Sequence, residues 1–445
     1  MMEINENKGF KQTEIGPIPE DWEVVKLGEV VYEVPLKERQ IIIEKNKYYK
    51  RIFTKLYGKG VAIKDIIMGS QISTKIMFIV KKDDFIFSKI NIRKGAYGVI
   101  NNHLDGAVVT SEHPILRART ERLDINFLSL YLLQPNVWNI IKSHAKGFSG
   151  KERVKTREFL SLLIPLPPLQ EQKNIAYVLS TIQEAIEKTD AVLKATKELK
   201  KSLMKHLFTY GPVSIHEIEK VKLKETEIGP IPEDWEVVRL GDLKNKNMLK
   251  IQFGFPCGKW NDIGSGIPQL RPFNINEMGY IDLNNLKYIQ TDKDISNYLV
   301  KKGDIIFNNT NSEELVGKTA YFNHDNKKFV ISNHMTIIRV IDERLSAYFI
   351  AKYLHKKWYE GYYKIICRRH VNQCSINLAR LSNIPIPLPP LPVQQKIAEI
   401  LSAVDEKIQA EENKKKALQE LFKSMLHNLM SGKIRVKDLK WVSNE

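Results

Sequence analysis

The sequence predicts a mixed α/β (α+β) protein built twice: two globular domains separated by a long two-helix antiparallel coiled coil, with an internal two-fold repeat. Three observations lead there. Residues 13–29 read TEIGPIPEDWEVVKLGE and residues 226–242 read TEIGPIPEDWEVVRLGD, fifteen identities in seventeen positions. A second pair closes each half, IPLPPLQEQKNIAYVL at 164–179 and IPLPPLPVQQKIAEIL at 386–401. Past each proline segment the apolar residues recur at steps of three and four, the seam of a coiled coil.

Each half therefore follows one plan: a GPIPEDW segment, a long variable region, an IPLPPL segment, a helix. The first segment is turn chemistry, with Gly-Pro and Ile-Pro fixing the chain and Trp22 and Trp235 anchoring it by burial of a large ring. The variable regions read as α/β. KIMFIVKKDDFIFSKI (75–90) and NYLVKKGDIIFNNT (297–310) are expected to be corresponding strand–turn–strand pairs. SEHPILR (111–117) and SNHMTIIR (332–339) form a second shared pair, and helical stretches are expected over 126–143 and 347–364. Consecutive prolines hold the backbone extended and cannot continue a strand ladder, so they are expected to end each variable domain and deliver the chain to its helix.

The first seam runs Ile175, Leu179, Ile182, Ile186, Leu193, Leu199, Leu203, Leu207, and the second Ile397, Leu401, Val404, Ile408, Leu418, Leu421, Met425, Leu429. Both turn polar midway, at Thr189 and at Glu411 with Lys415, which points to pairing of the helices with each other rather than burial in separate cores. Gly211-Pro212 and Gly432 stop them. The expected organisation is a first globular domain over 1–165, proline segment and first helix over 166–211, a second domain over 212–386, proline segment and second helix over 387–432, and a tail over 433–445.

Composition narrows the function. A net charge of +17 points to a polyanionic partner, nucleic acid first, with general solubility as the plainer reading. No run of eighteen apolar residues and no signal-peptide pattern is present, so a cytoplasmic protein without a membrane partner is expected. Three cysteines, Cys257, Cys367 and Cys374, fit a reducing compartment, and their spacing does not suit zinc. Catalytic patterns are decoys. GFPCGKW (254–260) is one residue short of a phosphate loop and lacks the hydroxyl residue after its lysine. Ser111-Glu112-His113 collects triad residue types, but neighbours on a strand face opposite ways.

Binding chemistry sits in the loops. SKINIRKGAYG gathers Ser88, Lys89, Asn91, Arg93 and Lys94; the basic loop 144–158 adds Lys146, Lys151, Arg153 and Lys155. In the second half, candidates are Arg271 and Asn274, then Asn308, Asn309 and Asn311, then Arg368, Arg369, His370, Asn372 and Gln373. Arg can fork onto guanine and Asn or Gln onto adenine in the major groove, whereas Lys and hydroxyl groups more often hold phosphates.

The doubled order GPIPEDW, variable domain, IPLPPL-x-x-Q helix resembles the DNA-specificity subunit of type I restriction–modification systems over essentially the whole chain. YGKGVAIKD (57–65), FIFSKINIRKGAYG (85–98), GIPQLRPFNI (266–275) and KKGDIIF (301–307) resemble that family's target-recognition domains. The resemblance implies a subunit with no catalytic site and no cofactor of its own. Each domain would read one half of a bipartite, asymmetric site in double-stranded DNA, and the helices would fix the spacing and dock two methyltransferase subunits. S-adenosylmethionine would bind the methyltransferase, and ATP the restriction subunits that join for cleavage. Trp22, Pro167, Pro168, Gln172, Trp235, Pro389, Pro390 and Gln394 would form the frame and partner-docking positions. Arg153, Lys155 and Arg157 depart from the second half's Asn372–Asn377 string, and that loop either reads bases or grips phosphate. Two other readings stand beside this one: a fused enzyme, which S-adenosylmethionine bound to the isolated chain would reveal, and a coiled-coil scaffold with non-specific nucleic-acid binding, which excess random duplex would compete away.

Overall fold

A computed structural model describes residues 9–143, 153–256, 259–325 and 328–436, in two compact units. The first unit takes the chain up to Asp190 together with the residues from Asn413 on; the second is the continuous run Ala191–Glu412. Helix Leu169–Tyr210 starts in the first unit and ends in the second, and helix Leu391–Met430 does the reverse. At 1.5 Å per residue each is about 60 Å long.

In the first unit Gly16–Pro19 pairs antiparallel with Phe10–Thr13, and Glu23–Lys26 pairs antiparallel with Leu163–Leu166. In the second unit Leu223–Lys224 pairs with Ile231–Pro232, and Glu236–Arg239 with Pro385–Leu388. The two repeated segments of each half are thus strand partners. This corrects the expectation that the prolines stay out of any ladder. Pro385 and Pro387 lie two residues apart in a two-stranded ribbon, so both missing donors face the open edge, where a ladder needs none.

Each variable region folds around a four-stranded antiparallel sheet. In the first unit the order is Tyr97–Val99, Phe85–Phe87, Ile115–Ala118, Val31–Glu33; in the second it is Leu249–Phe253, Met335–Val340, Ile305–Asn308, Thr319–Tyr321. A second, mixed sheet accompanies each, and each contains one parallel pair: Val108–Val109 on Tyr48–Thr54, and Val330–Ile331 on Ile267–Leu270. The expected strand–turn–strand pairs are not hairpins. Ile76–Ile79 belongs to the mixed sheet and Phe85–Phe87 to the four-stranded one, so the KKDD turn carries the chain from sheet to sheet. The Asp that closes each turn is the reason. Asp84 is fully buried, accepts from the Lys81 amide and pairs with Arg117 at 2.7 Å and Arg39 at 3.3 Å; Asp304 accepts from Lys301 and is gripped by Arg339 at 2.6 Å. The helical stretches are each broken once, at Gln134-Pro135 and at Gly361.

The long helices run antiparallel. In the first unit Ile175 and Leu179 share a core with Leu426, Leu429, Trp22 and Phe159; in the second Met204 and Leu207 share one with Ile397, Leu401 and Trp235. The seam follows the strict heptad rather than the most apolar residue. Leu199 and Leu421 are 53% and 46% exposed, whereas the neighbouring Lys200 is fully buried and Phe422 packs on the first core. Thr189 and Glu411 are buried in the polar midsection, where Lys415 meets Asp190 at 2.6 Å and Lys197 meets Glu412 at 2.7 Å. Lys200 reaches Asp405 at 2.8 Å, Lys352 takes the other carboxylate oxygen at 2.5 Å, and the hydroxyls of Tyr280 and Tyr348 donate to the same carboxylate. Burial and the nearby Lys352 push Lys200 down to about 8. Burial works against the Asp405 carboxylate, but Lys352 and Lys200 outweigh it and hold the group at about 2.

Candidate nucleic-acid interface

Strand polarity gathers the basic loops of each unit at one sheet edge. In the first unit, Phe85–Phe87 ends where its antiparallel neighbour Ile115–Ala118 begins, and the parallel strands Tyr48–Thr54 and Val108–Val109 finish on that side too. Loops 55–60, 88–96 and 110–113 are therefore neighbours, and Val154 joins them by donating its amide to the Lys89 carbonyl at 2.9 Å. Ser88 is buried and accepts from the Asn91 amide, so it shapes the turn. Lys89 is half-buried and donates to the Ser111 carbonyl, Arg153 pairs with Glu112 at 3.3 Å, and Lys94 and Lys155 are exposed. Asn91 and Arg93 are half-buried on the same turn. Lys146 and Lys151 lie outside the described residues. Burial lowers the His113 pKa, and with Glu112 taken by Arg153 the Ser-Glu-His string serves the loop rather than catalysis.

The second unit repeats two bonds of this scaffold. The Asn309 amide donates to the His334 carbonyl as Lys89 does to Glu112, each at 3.1 Å, and Ile376 donates to Asn309 at 2.8 Å as Val154 does to Lys89. On this scaffold Arg368–Arg369 pairs antiparallel with Cys374–Ser375, which pairs in turn with Thr310–Asn311. The structure thus joins the 308–311 and 366–377 strings, separate in sequence, into one three-stranded sheet. The His370 amide donates to the Gln373 carbonyl and closes a hairpin on which Arg368, Arg369, His370, Asn372 and Gln373 are exposed, with Val371 at 98%. Arg369 is hydrogen-bonded to Glu313 at 2.6 Å, which raises its pKa further. Burial pushes the Cys367 thiol at the hairpin base up to about 11. Arg271 and Asn311 are half-buried.

Three expected base readers are not at the surface. Asn274, Asn308 and Asn309 are at most 3% exposed. Asn274 bridges the Arg271 amide and the Asp282 carbonyl, Asn308 donates to Leu315, and Asn309 donates to the Thr336 hydroxyl. Short amide side chains at strand ends are suited to closing turns, and these do that instead of reaching outward.

The frame positions are the most regular part of the chain. Gln172 is buried and donates to the carbonyls of Pro167 and Arg122, both at 2.8 Å, while accepting from the amide of Asp124, the cap of helix Ile125–Tyr131. Gln394 does the same with Pro389, Arg344 and Ser346, the cap of helix Ala347–Tyr359. Pro167 and Pro389 are buried; Pro168 and Pro390 are exposed. Trp22 and Trp235 are fully or nearly buried, each beside the glycine that ends a long helix: Gly432 for Trp22, Gly211 for Trp235. Arg435 grips Asp21 at 2.6 Å and Glu171 at 2.5 Å, and Trp22 donates to Glu171 at 3.1 Å. Sequence reasoning missed Arg435, the Asp84/Asp304 anchors and the Asp405 cluster. The anchors had a signal, because KKDD/KKGD and the Arg ending HPILR and MTIIR recur in both halves. No cluster of three or more His, Cys, Asp or Glu suited to a metal ion, and no helix long and apolar enough to cross a membrane, occurs among the described residues.

Comparison with known proteins agrees with the doubled plan. Residues 19–195 and 232–420 match the family described as type I restriction modification DNA specificity domain. The chain is 29% identical to a putative type I restriction enzyme MjaX specificity subunit of Methanocaldococcus jannaschii, over 98% of this chain and 99% of the relative. It is 26% identical to the MjaVIII specificity subunit of the same organism, over 99% of each. Among solved structures, the S subunit of a type I restriction–modification system from M. genitalium aligns over 92% of this chain and 96% of its own, with a TM-score of 0.59 at 14% identity. A chain from a study of complex assembly in a type I R-M system aligns over 94% and 99%, with a TM-score of 0.51 at 19% identity. At these identities the structural likeness speaks for the fold.

Proposed function

Because the chain belongs to the type I restriction–modification DNA specificity family, we propose that it is the specificity subunit of such a system, each recognition unit reading one half of a bipartite, asymmetric site in duplex DNA. The observation that carries this is the matched scaffold with unmatched loops. The amides and carbonyls at Lys89 and Val154 recur at Asn309 and Ile376, yet the side chains exposed nearby differ: Lys94, Arg153 and Lys155 in the first unit, Arg368, Arg369, His370, Asn372 and Gln373 in the second. In the second unit the exposed hairpin supplies Arg368, Asn372 and Gln373, residue types that fork onto guanine and adenine edges. In the first, Lys94, Arg153 and Lys155 hold phosphate, and the part played by Lys146 and Lys151 belongs with them.

The subunit does no chemistry itself. Six of the eight expected docking positions are buried and brace the fold instead, so two methyltransferase subunits dock on the exposed helix surfaces beside Pro168 and Pro390 and bring S-adenosylmethionine; restriction subunits bring ATP. The paired helices set the length of the unread gap, and the protein acts in the cytoplasm. Co-expression with a methyltransferase partner in a methylation-deficient host, followed by sequencing for modified adenines, tests this. Modification at one split motif with a constant gap is expected. Stable co-purification without any motif would favour a scaffold that binds nucleic acid non-specifically.

A further inference from the structure

Among the described residues only Tyr57, Asp83 and Asn247 adopt a positive φ without being glycine. Asp and Asn tolerate the left-handed region; a bulky aromatic residue is an outlier there. Tyr57 has φ 61° in the string Tyr57-Gly58-Lys59-Gly60, whose two glycines share the left-handed conformation. The loop is braced. The amides of Tyr57 and Gly58 donate to the carbonyls of Lys94 and Gly95, each at 2.7 Å, and Lys55 closes the loop onto the Gly60 carbonyl at 2.8 Å. A Cβ on Gly95 would meet Trp138 at 2.7 Å and the Gly58 amide nitrogen at 2.9 Å, so the two strings lie too close for a side chain there. Glycine at position 57 would meet every backbone demand without strain. A tyrosine kept there is kept for its side chain, yet that side chain does little inside the protein: it is 59% exposed, and its ring pairs loosely with Trp138 at 6.4 Å. Around it stand the exposed Lys55, Lys59 and Lys94, the last on the turn that holds the Tyr57 amide.

We infer that Tyr57 is a DNA-contact residue of the first recognition unit, its ring laid against the sugar edge of the duplex while Lys55, Lys59 and Lys94 take the flanking phosphates. The inference rests on the specificity-subunit reading and adds a residue to it. A rigid aromatic plane amid cations suits backbone contact, which carries affinity and register rather than sequence. Strain stored in a braced loop at a binding surface is the expected signature of such a role.

The test uses Tyr57→Gly and Lys94→Ala in the full chain, co-purified with its methyltransferase partner, on duplex carrying the mapped motif. Tyr57→Gly is expected to change the Tm little, relief of the positive φ offsetting the freer unfolded chain, to weaken binding roughly tenfold, and to leave both the methylated motif and the salt dependence unchanged. Lys94→Ala is expected to lower the salt slope by about one. Wild-type affinity in Tyr57→Gly would overturn the contact. A large fall in Tm, beyond the small entropic cost of a glycine, would make the ring structural, and a relaxed first half-site would make it a base reader; either defeats the inference. A wild-type complex that shows no preferred motif would instead defeat the specificity-subunit reading, whatever Tyr57 does.

Discussion

At Gln172 one side chain satisfies three buried backbone groups: two carbonyls and the capping amide of Asp124. Gln172→Leu fits the space and leaves all three without partners, so a loss of about 2–4 kcal/mol is expected in the first unit. Gln394→Leu should lose a similar amount in the second, where the bonds are the same, and thermal unfolding of each variant would show whether the two match. Asp405 makes a pH prediction. Its carboxyl titrates at about 2 when folded against a usual 3.8, so its stabilisation is full above 3.8 and lost as pH falls toward 2. The difference corresponds to about 2 kcal/mol. Asp405→Asn should therefore flatten the acid limb of the stability curve. It should also weaken the neutral protein by about 3–5 kcal/mol, because Lys200 and Lys352 stay buried without their anion. The slope for Lys200 has the same sign but a different origin: its folded value of about 8 lies below the usual 10.5, so burying the charged amine is a penalty that is relieved as pH rises through that window. Urea melts of wild type and Asp405→Asn across acid and alkaline pH would check both limbs.

Helix ends give a graded comparison. Gly432 sits at φ 70° with Pro19 where a Cβ would lie, at 2.2 Å; Gly211 sits at φ 81° with only an ordinary contact to Trp235 at 3.4 Å. Gly211→Ala should cost about 1 kcal/mol for backbone strain alone, and Gly432→Ala about 1–3 kcal/mol more, since Pro19 must move as well. Equal losses in a melt would show that the collision relaxes freely. For the helices themselves, one heptad inserted into both adds about 10 Å, and the unread gap should grow by about three base pairs on methylation mapping. At this scale the sequence was readable where a period or a repeat imposed itself: the long helices, their antiparallel pairing and the proline frame. It misled where apolarity competed with period, as at Leu199 beside the true seam residue Lys200. It also misled where a strong turn signal had no hairpin to make, because the pull on Asp84 comes from Arg117 and Arg39 in distant strands.

For the molecule as a whole, the same contrast separates frame from reader. Repetition exposed the frame, since buried bonds such as those of Gln172 and Gln394 admit little change. The reading surface was legible only as sets of loops. Composition could not tell the exposed Asn372 from the buried Asn308, because that depends on which strands meet at the sheet edge. Transplanting the hairpin 366–377 from a relative with another target should alter one half-site and leave the other half-site and the gap as they were, which the same mapping would record. The division of the chain between units also has a consequence in time. The second unit is one unbroken run, but the first closes only when Asn413 and later residues arrive, with Arg435 fastened to Asp21. At about 5–20 residues per second the ribosome needs roughly 10–45 s to travel from Asp190 to Asn413. The domain synthesised first is thus the last to be finished, and through that interval the N-terminal half of the helix and the ring of Trp22 wait without the segment that will cover them.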